Sequence, residues 1–92
     1  MSNVDEVIAL LAKESKQDGA DFTEYDLNGA SIEGASFVYA TFDKVKLENS
    51  TLTGINFTQA SLQGSSLKNS KLTDIDFTGA KLAGINFEEA VF

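Results

Sequence analysis

Large apolar residues recur at every fifth position from Phe22 to Phe92, without exception. The fifteen members of this apolar series are Phe22, Leu27, Ile32, Phe37, Phe42, Leu47, Leu52, Phe57, Leu62, Leu67, Leu72, Phe77, Leu82, Phe87 and Phe92. A second series, mostly of small residues, lies two positions before the first and runs from Ala20 to Ala90. Repetition at a fixed short interval is typical of solenoid architectures, so this pattern predicts a repeat fold.

A period of five matches neither the two-residue period of a strand nor the 3.6-residue period of a helix. On one helix, five steps of about 100° would spread the series around the whole circumference. On one strand, successive members would face opposite sides. A chain that turns a corner once per repeat keeps every member inward, and four such sides close a coil of twenty residues. The pattern therefore predicts an all-β solenoid, with glycines such as Gly29 and Gly64 at its corners.

Several segments resemble the consensus of the pentapeptide-repeat family, which is Ala, then Asp or Asn, then Leu or Phe, then two variable residues. The clearest are STLTG (50–54), INFTQ (55–59), ASLQG (60–64) and GAKLAG (79–84). The resemblance covers residues 20–92 as fifteen uninterrupted repeats. It implies a right-handed quadrilateral β-helix of about four coils.

The segment before the repeats has the apolar spacing of a helix over residues 3–16. Asn3 is the expected N-cap, with Glu6 completing a capping box. Because the end of a solenoid exposes apolar side chains and unpaired backbone groups, we expect this helix to cover the first coil (residues 20–39). The predicted division is a capping helix and linker over residues 1–19 and a β-helix of fifteen repeats over residues 20–92.

The cap is expected to pack through Val4, Ile8, Leu11 and Tyr25. Tyr25 occupies an inward position that is usually small. One interpretation is that its ring packs against the helix while the hydroxyl reaches water, and the alternative is a ligand contact.

The amino-acid composition argues against several classes of function. The net charge is −7, all seven basic residues are lysine, and histidine and cysteine are absent. An acidic chain without a basic patch is unsuited to nucleic acid or anionic membranes. No histidine is present to activate a serine as a nucleophile. Asp74 and Asp76 are close in sequence, and we interpret them as a solvated pair in preference to a metal site. We therefore expect no enzyme, no cofactor and no metal, and a cytoplasmic protein by default, since no signal peptide or transmembrane segment is recognisable.

The outward positions of the first coil are the candidate partner contacts. Val38 and Tyr39 form an adjacent apolar pair, and an acidic band contains no lysine. The members of this acidic band are Asp21, Glu24, Asp26 and Glu33. The primary hypothesis is a small rigid interaction or scaffold module with an unknown protein partner. The alternative, drawn from the family resemblance, is a DNA mimic that binds a type II topoisomerase such as gyrase, although acidity confined to one end argues against it.

The C-terminal coil is the candidate surface for self-association, through Phe87, Ala90, Val91 and Phe92. Phe92 belongs to the apolar series and has no repeat after it. The sequence leaves three possibilities open: a bare last coil, an end-to-end homodimer, and a chain that continues beyond this sequence.

Overall fold

The structure, a computed structural model, describes residues 2–92 and contains one short helix and three short strands. Helix α1 spans Val4–Lys13, and the strands are β1 (Ser31–Glu33), β2 (Thr51–Thr53) and β3 (Lys71–Thr73). The strands form one parallel sheet in the order β1-β2-β3, with Ile32, Leu52 and Leu72 in register. Each partner therefore lies twenty residues further along the chain.

The same twenty-residue spacing governs the backbone outside the strands. Three further columns of isolated parallel bridges run through residues 16, 36, 56 and 76, through 21, 41, 61 and 81, and through 26, 46, 66 and 86. Hydrogen bonds join the coils in each column; the Phe37 N–H, for example, donates to the Asn56 carbonyl at 2.8 Å. The predicted β-solenoid with a twenty-residue repeat is confirmed by this pairing.

A residue with positive φ ends every pentapeptide, from Gly19 to Glu89 at intervals of five. The predicted corner glycines are confirmed, with φ of +78° at Gly29 and +70° at Gly64. Eight corners carry another residue: Glu24, Tyr39, Lys44, Asn49, Gln59, Asn69, Asp74 and Glu89. At most corners a hydrogen bond closes the turn, such as that from the Tyr25 N–H to the Phe22 carbonyl at 3.0 Å, and a positive φ at the third residue is what a type II turn requires.

The core is a column of the apolar series. Every member from Phe22 to Leu72 is at most 5% exposed, and Leu52 and Phe57, whose inward orientation the pattern required, are each 1% exposed. The Phe57 ring stacks on Phe37 below it and Phe77 above it, with centroid distances of 5.6 and 5.7 Å. The later members Phe77, Leu82 and Phe87 are only partly buried, because no further coil stacks on them among the described residues.

Three serines occupy inward positions without leaving a polar group unpaired. Ser50, Ser65 and Ser70 are buried, and each hydroxyl donates to the backbone carbonyl three residues earlier at 2.5–2.7 Å. Since a buried hydroxyl needs a partner, these bonds explain how serine replaces alanine in the inner column. Their role is structural.

Helix α1 is shorter than the predicted span of residues 3–16, because the chain leaves it to pair with the first coil. Glu14 has extended φ and ψ angles of −150° and 108°, and Lys16 forms a parallel bridge with Ser36. Asn3 is the N-cap residue, but its side chain makes no capping bond to the helix backbone. Its Oδ1 atom accepts instead from the Asp26 N–H at 2.8 Å, so the residue holds the helix to the coil.

Candidate functional site

The acidic band lies across three neighbouring bridge columns of the first coil. Asp21 and Asp26 occupy two bridge positions, opposite Thr41 and Lys46, while Glu33 ends β1. Asp21, Glu24 and Glu33 are exposed, and Asp26 is half-buried beneath the N-terminal segment. These carboxylates surround one end of the solenoid and do not converge on a pocket.

Turn geometry fixes the Asp21 carboxylate. Its Oδ1 atom accepts from the Thr23 hydroxyl at 2.6 Å and from the Thr23 N–H at 2.9 Å. These two hydrogen bonds hold the pKa of Asp21 below its usual value, since they favour the charged form. In the part of the chain that the structure describes, the single ion pair joins Lys16 and Asp18 at 3.9 Å, so no lysine forms an ion pair with the acidic band.

Tyr39 projects from the corner next to this band. Its side chain is 68% exposed and its φ is +60°. Val38 is half-buried, and its N–H donates to the Asp18 carboxylate at 3.0 Å. The two residues therefore differ. Tyr39 is available for contact with a partner, whereas Val38 is largely packed within the coil.

Tyr25 joins the cap to the core. Its ring meets Phe22 edge to face at 5.4 Å, and its hydroxyl donates to Glu6 Oε2 at 3.1 Å. The hydrogen bond to Glu6, followed by the charge of Glu6, raises the pKa of the Tyr25 phenol. The helix residue that enters the core is Val7, 1% exposed, with Val4 and Leu11 partly buried and Ile8 39% exposed.

Sequence reasoning missed a groove between α1 and β1, which we call the edge groove. It has a volume of about 240 Å³ and is lined by Ile8, Leu11, Ala12, Ser31, Ile32 and Glu33. Of these residues the sequence singled out Ile8 and Leu11 for packing of the cap, Ile32 as a member of the apolar series and Glu33 as part of the acidic band. Nothing in the repeat pattern reports how far the helix lies from the strand, so the groove itself carried no sequence signal.

At the other end of the solenoid, the proposed self-association residues form an apolar surface. Val91 and Phe92 are 61% and 74% exposed, while Phe87 and Ala90 are partly buried. The Phe87 and Phe92 rings lie 5.3 Å apart. Nothing in the chain covers this surface among the described residues.

The paired aspartates have separate roles. Asp74 is a corner residue with φ of +54°. Asp76 lies in a bridge column and accepts from the Thr78 hydroxyl and N–H, which lowers its pKa. Within residues 2–92 no group of three or more potential metal ligands comes together, and no helix has the length and apolar character needed to cross a membrane.

Comparison with known proteins identifies the repeat. The sequence profile described as a pentapeptide repeat region matches residues 13–92. The pentapeptide repeat protein alr5209 from Nostoc PCC 7120 superposes with a TM-score of 0.87 at 23% identity, covering 98% of this chain and 75% of that protein. A search of curated proteins found no match.

Two further solved structures are similar over 82% of this chain. HetL, a pentapeptide repeat protein involved in heterocyst differentiation regulation in Nostoc sp. strain PCC 7120, has a TM-score of 0.55 at 25% identity. QnrB1, a plasmid-mediated fluoroquinolone resistance protein, has a TM-score of 0.59 at 20% identity. This chain spans only 39% of HetL and 44% of QnrB1. With its parallel β-helix, its short N-terminal helix and its profile match over residues 13–92, the chain belongs to the pentapeptide repeat family.

Proposed function

We propose that this protein is a non-enzymatic interaction module that presents its first coil to a protein partner. The observation that carries the proposal is the acidic band beside the exposed ring of Tyr39, with no lysine in residues 20–39 and no ion pair from residues 2–92 to the band. Exposed negative charge steers association with a basic partner, and an exposed tyrosine offers a large contact area of the kind enriched at interfaces.

The solenoid makes this surface rigid. Backbone hydrogen bonds join the coils in four columns, and corner residues and buried side chains fix the course of the chain between them. The four columns also support the finer description of the fold as a right-handed quadrilateral β-helix of about four coils. A rigid surface loses little entropy on binding, which suits a scaffold role.

The alternative is a DNA mimic directed at a type II topoisomerase, and the charge distribution disfavours it. A mimic needs negative charge arrayed along the solenoid. Beyond the first coil, residues 40–59 contain Asp43 and Glu48 but also Lys44 and Lys46, so acidity does not extend along the axis. A gyrase supercoiling assay separates the two functions: inhibition or protection by added protein supports mimicry, and no effect at micromolar concentrations excludes it.

Self-association through the last coil is a separate proposal. The exposed Val91 and Phe92 beside Phe87 support an end-to-end homodimer, because exposed apolar surface favours association. Sedimentation of the full chain and of a Phe92→Lys variant tests it. A dimer that the variant converts to monomer supports the pairing, and a wild-type monomer at high concentration refutes it.

The interaction function is tested by capture and charge reversal. Immobilised wild-type protein is compared with a Glu24→Lys/Tyr39→Ala double variant and with a control carrying Glu88→Lys, an exposed glutamate outside the first coil. The proposal expects a captured protein that elutes with salt, is lost with the double variant and is retained by the control. Capture that is equal for all three proteins contradicts a role for the first coil.

A further inference from the structure

The N-terminal segment completes the hydrogen bonding of the first coil at two of its four columns. At the Ser36 column, the Ser36 N–H donates to the Ser15 carbonyl at 2.9 Å, and the Ser36 carbonyl accepts from the Gln17 N–H at 2.8 Å. At the Asp26 column, Asn3 pairs with both the N–H and the carbonyl of Asp26 at 2.8 Å. The chain before the first repeat therefore substitutes there for a preceding coil.

The outer edge of β1 has no such cover. Alternate residues of a strand direct their backbone groups to opposite sides, and the Ala30 carbonyl accepts from Thr51 in β2 at 2.9 Å. The N–H and carbonyl groups of Ser31 and Glu33 point away from β2, as those of Ser36 do in its column. Among the residues that the structure describes, no hydrogen bond reaches these four groups. An unpaired strand edge is a template for another extended chain.

The Asp21 column is also left without N-terminal cover, but it differs from β1 in two respects. The Thr23 N–H is already satisfied by the Asp21 carboxylate at 2.9 Å. That column contains isolated bridges and no strand. The β1 edge is therefore the place in the first coil where a regular strand can be extended.

The edge groove runs beside this open edge. Ile8, Leu11 and Ala12 form its helix side, and the three residues of β1 form the other. Its volume of about 240 Å³ is below the range of roughly 300–1,000 Å³ that holds drug-sized ligands. The size and the apolar walls suit an aliphatic side chain better than a small molecule. Glu33, an exposed acidic residue, also lines the groove.

We propose that an extended segment of a partner protein adds to the sheet as a fourth strand along Ser31–Glu33, places an aliphatic side chain in the edge groove and sets a lysine or arginine against Glu33. Backbone pairing supplies affinity and the groove supplies selectivity, as in other cases of strand addition. Charge complementarity favours a basic segment, because the first coil has no lysine and the chain carries −7. The inference rests on the proposed binding function and names the kind of segment that is bound.

The probe is a seven-residue peptide of alternating lysine and valine with blocked ends, titrated into the full chain and followed by amide resonances. We expect the largest shifts at the Ser31 and Glu33 amides, and slower hydrogen exchange there. Two matched peptides serve as controls, one with methylated backbone nitrogens and one with glutamate in place of lysine. Each is expected to bind at least about tenfold more weakly.

Two pairs of protein variants locate the site. Ala12→Phe fills the groove, whereas Ala9→Phe alters an exposed alanine of the same helix that does not line it. Glu33→Lys reverses the groove charge, whereas Glu88→Lys reverses an exposed charge outside the first coil. The first member of each pair is expected to weaken peptide binding at least about tenfold, and the second to leave it nearly unchanged, with thermal unfolding confirming that all four variants fold.

The outcomes separate this inference from the proposed function. No peptide binding at millimolar concentration, or binding that Ala12→Phe and Glu33→Lys leave intact, overturns strand addition. If the captured partner is lost with the Glu24→Lys/Tyr39→Ala variant but retained by Ala12→Phe, the interaction function stands and strand addition fails. A wild-type dimer that Ala12→Phe dissociates assigns the edge to a second copy and also overturns the inference.

Discussion

The Phe57→Ala substitution tests the stacked core directly. Phe57 is 1% exposed in the middle of the solenoid, where its ring contacts three others. The centroid distances are 5.6 Å to Phe37, 5.2 Å to Phe42 and 5.7 Å to Phe77. Truncation to alanine removes all three aromatic contacts and leaves a cavity between coils that the closed backbone ladder cannot easily collapse.

The expected loss of unfolding free energy follows from this burial. Replacement of a buried phenylalanine by alanine costs about 3–5 kcal/mol, of which each aromatic pair accounts for about 0.5–1.5 kcal/mol. A chain of 92 residues is expected to have an unfolding free energy of about 5–14 kcal/mol. The substitution therefore removes a large share of the total. Since each coil contacts only its neighbours, the defect also weakens the coupling between the two halves.

Urea unfolding followed by far-ultraviolet circular dichroism measures the effect. At a protein concentration where sedimentation shows a monomer, Phe92→Ala is the matched control, because Phe92 belongs to the same apolar series but is 74% exposed, and its loss should change the unfolding free energy by no more than about 0.5 kcal/mol. A loss below about 1 kcal/mol for Phe57→Ala, at an unchanged denaturant slope, would refute the account of the core as a close-packed stack.

Two further predictions concern the corners and the cap. Gly29→Ala, at φ +78° with open space around the new Cβ, should cost about 1 kcal/mol from backbone strain alone. Gly79→Ala, at φ +66°, should cost a similar amount, because the Gln59 amide that lies 2.6 Å from the new Cβ is the end of an exposed, flexible side chain and can move away; urea unfolding of both variants checks this, and a stability gain at Gly29 contradicts it. A Tyr39→Phe variant retains Tyr25 as its sole tyrosine. The midpoint of its tyrosinate absorbance change should lie above the ordinary pKa of 10.0, and adding Glu6→Ala should lower that midpoint. Because the pKa is raised in the folded state, this phenol stabilises the fold below its ordinary pKa and ceases to do so as pH rises through the folded-state value; an unchanged midpoint in the Glu6 variant would contradict the hydrogen bond.

Much of the fold was predictable because burial and spacing determine it together. A large apolar residue at every fifth position has to face inward, and stacking like on like at twenty residues, as in Phe37 and Phe57, fixed the register of the backbone pairing. The corner glycines were predictable for the same reason, since they recur in phase with the core. Because these features recur in every coil, the structure predicted for one coil can be checked against the sequence of the next.

Features that occur once were not predictable in the same way. The extended segment from Glu14 to Gly19 pairs with the first coil, yet it lacks a member of the apolar series, and the apolar spacing predicts helix as far as residue 16. Its pairing depends on backbone groups of the first coil that need partners, and backbone groups leave no trace in composition. The distance between α1 and β1 likewise depends on how Val7 enters the core.

The non-glycine corners show why local preference alone is a poor guide here. Asparagine tolerates positive φ, so Asn49 and Asn69 carry a weak signal, but Lys44 and Gln59 adopt φ of 58° and 60° with no intrinsic preference for it. The coils above and below impose that conformation through the hydrogen bonds on either side of the corner. The same dependence on neighbouring coils explains the candidate binding edge. Where a coil or the N-terminal segment is adjacent, the backbone groups are hydrogen-bonded; at Ser31 and Glu33, a partner's strand can supply the hydrogen bonds that residues 2–92 do not.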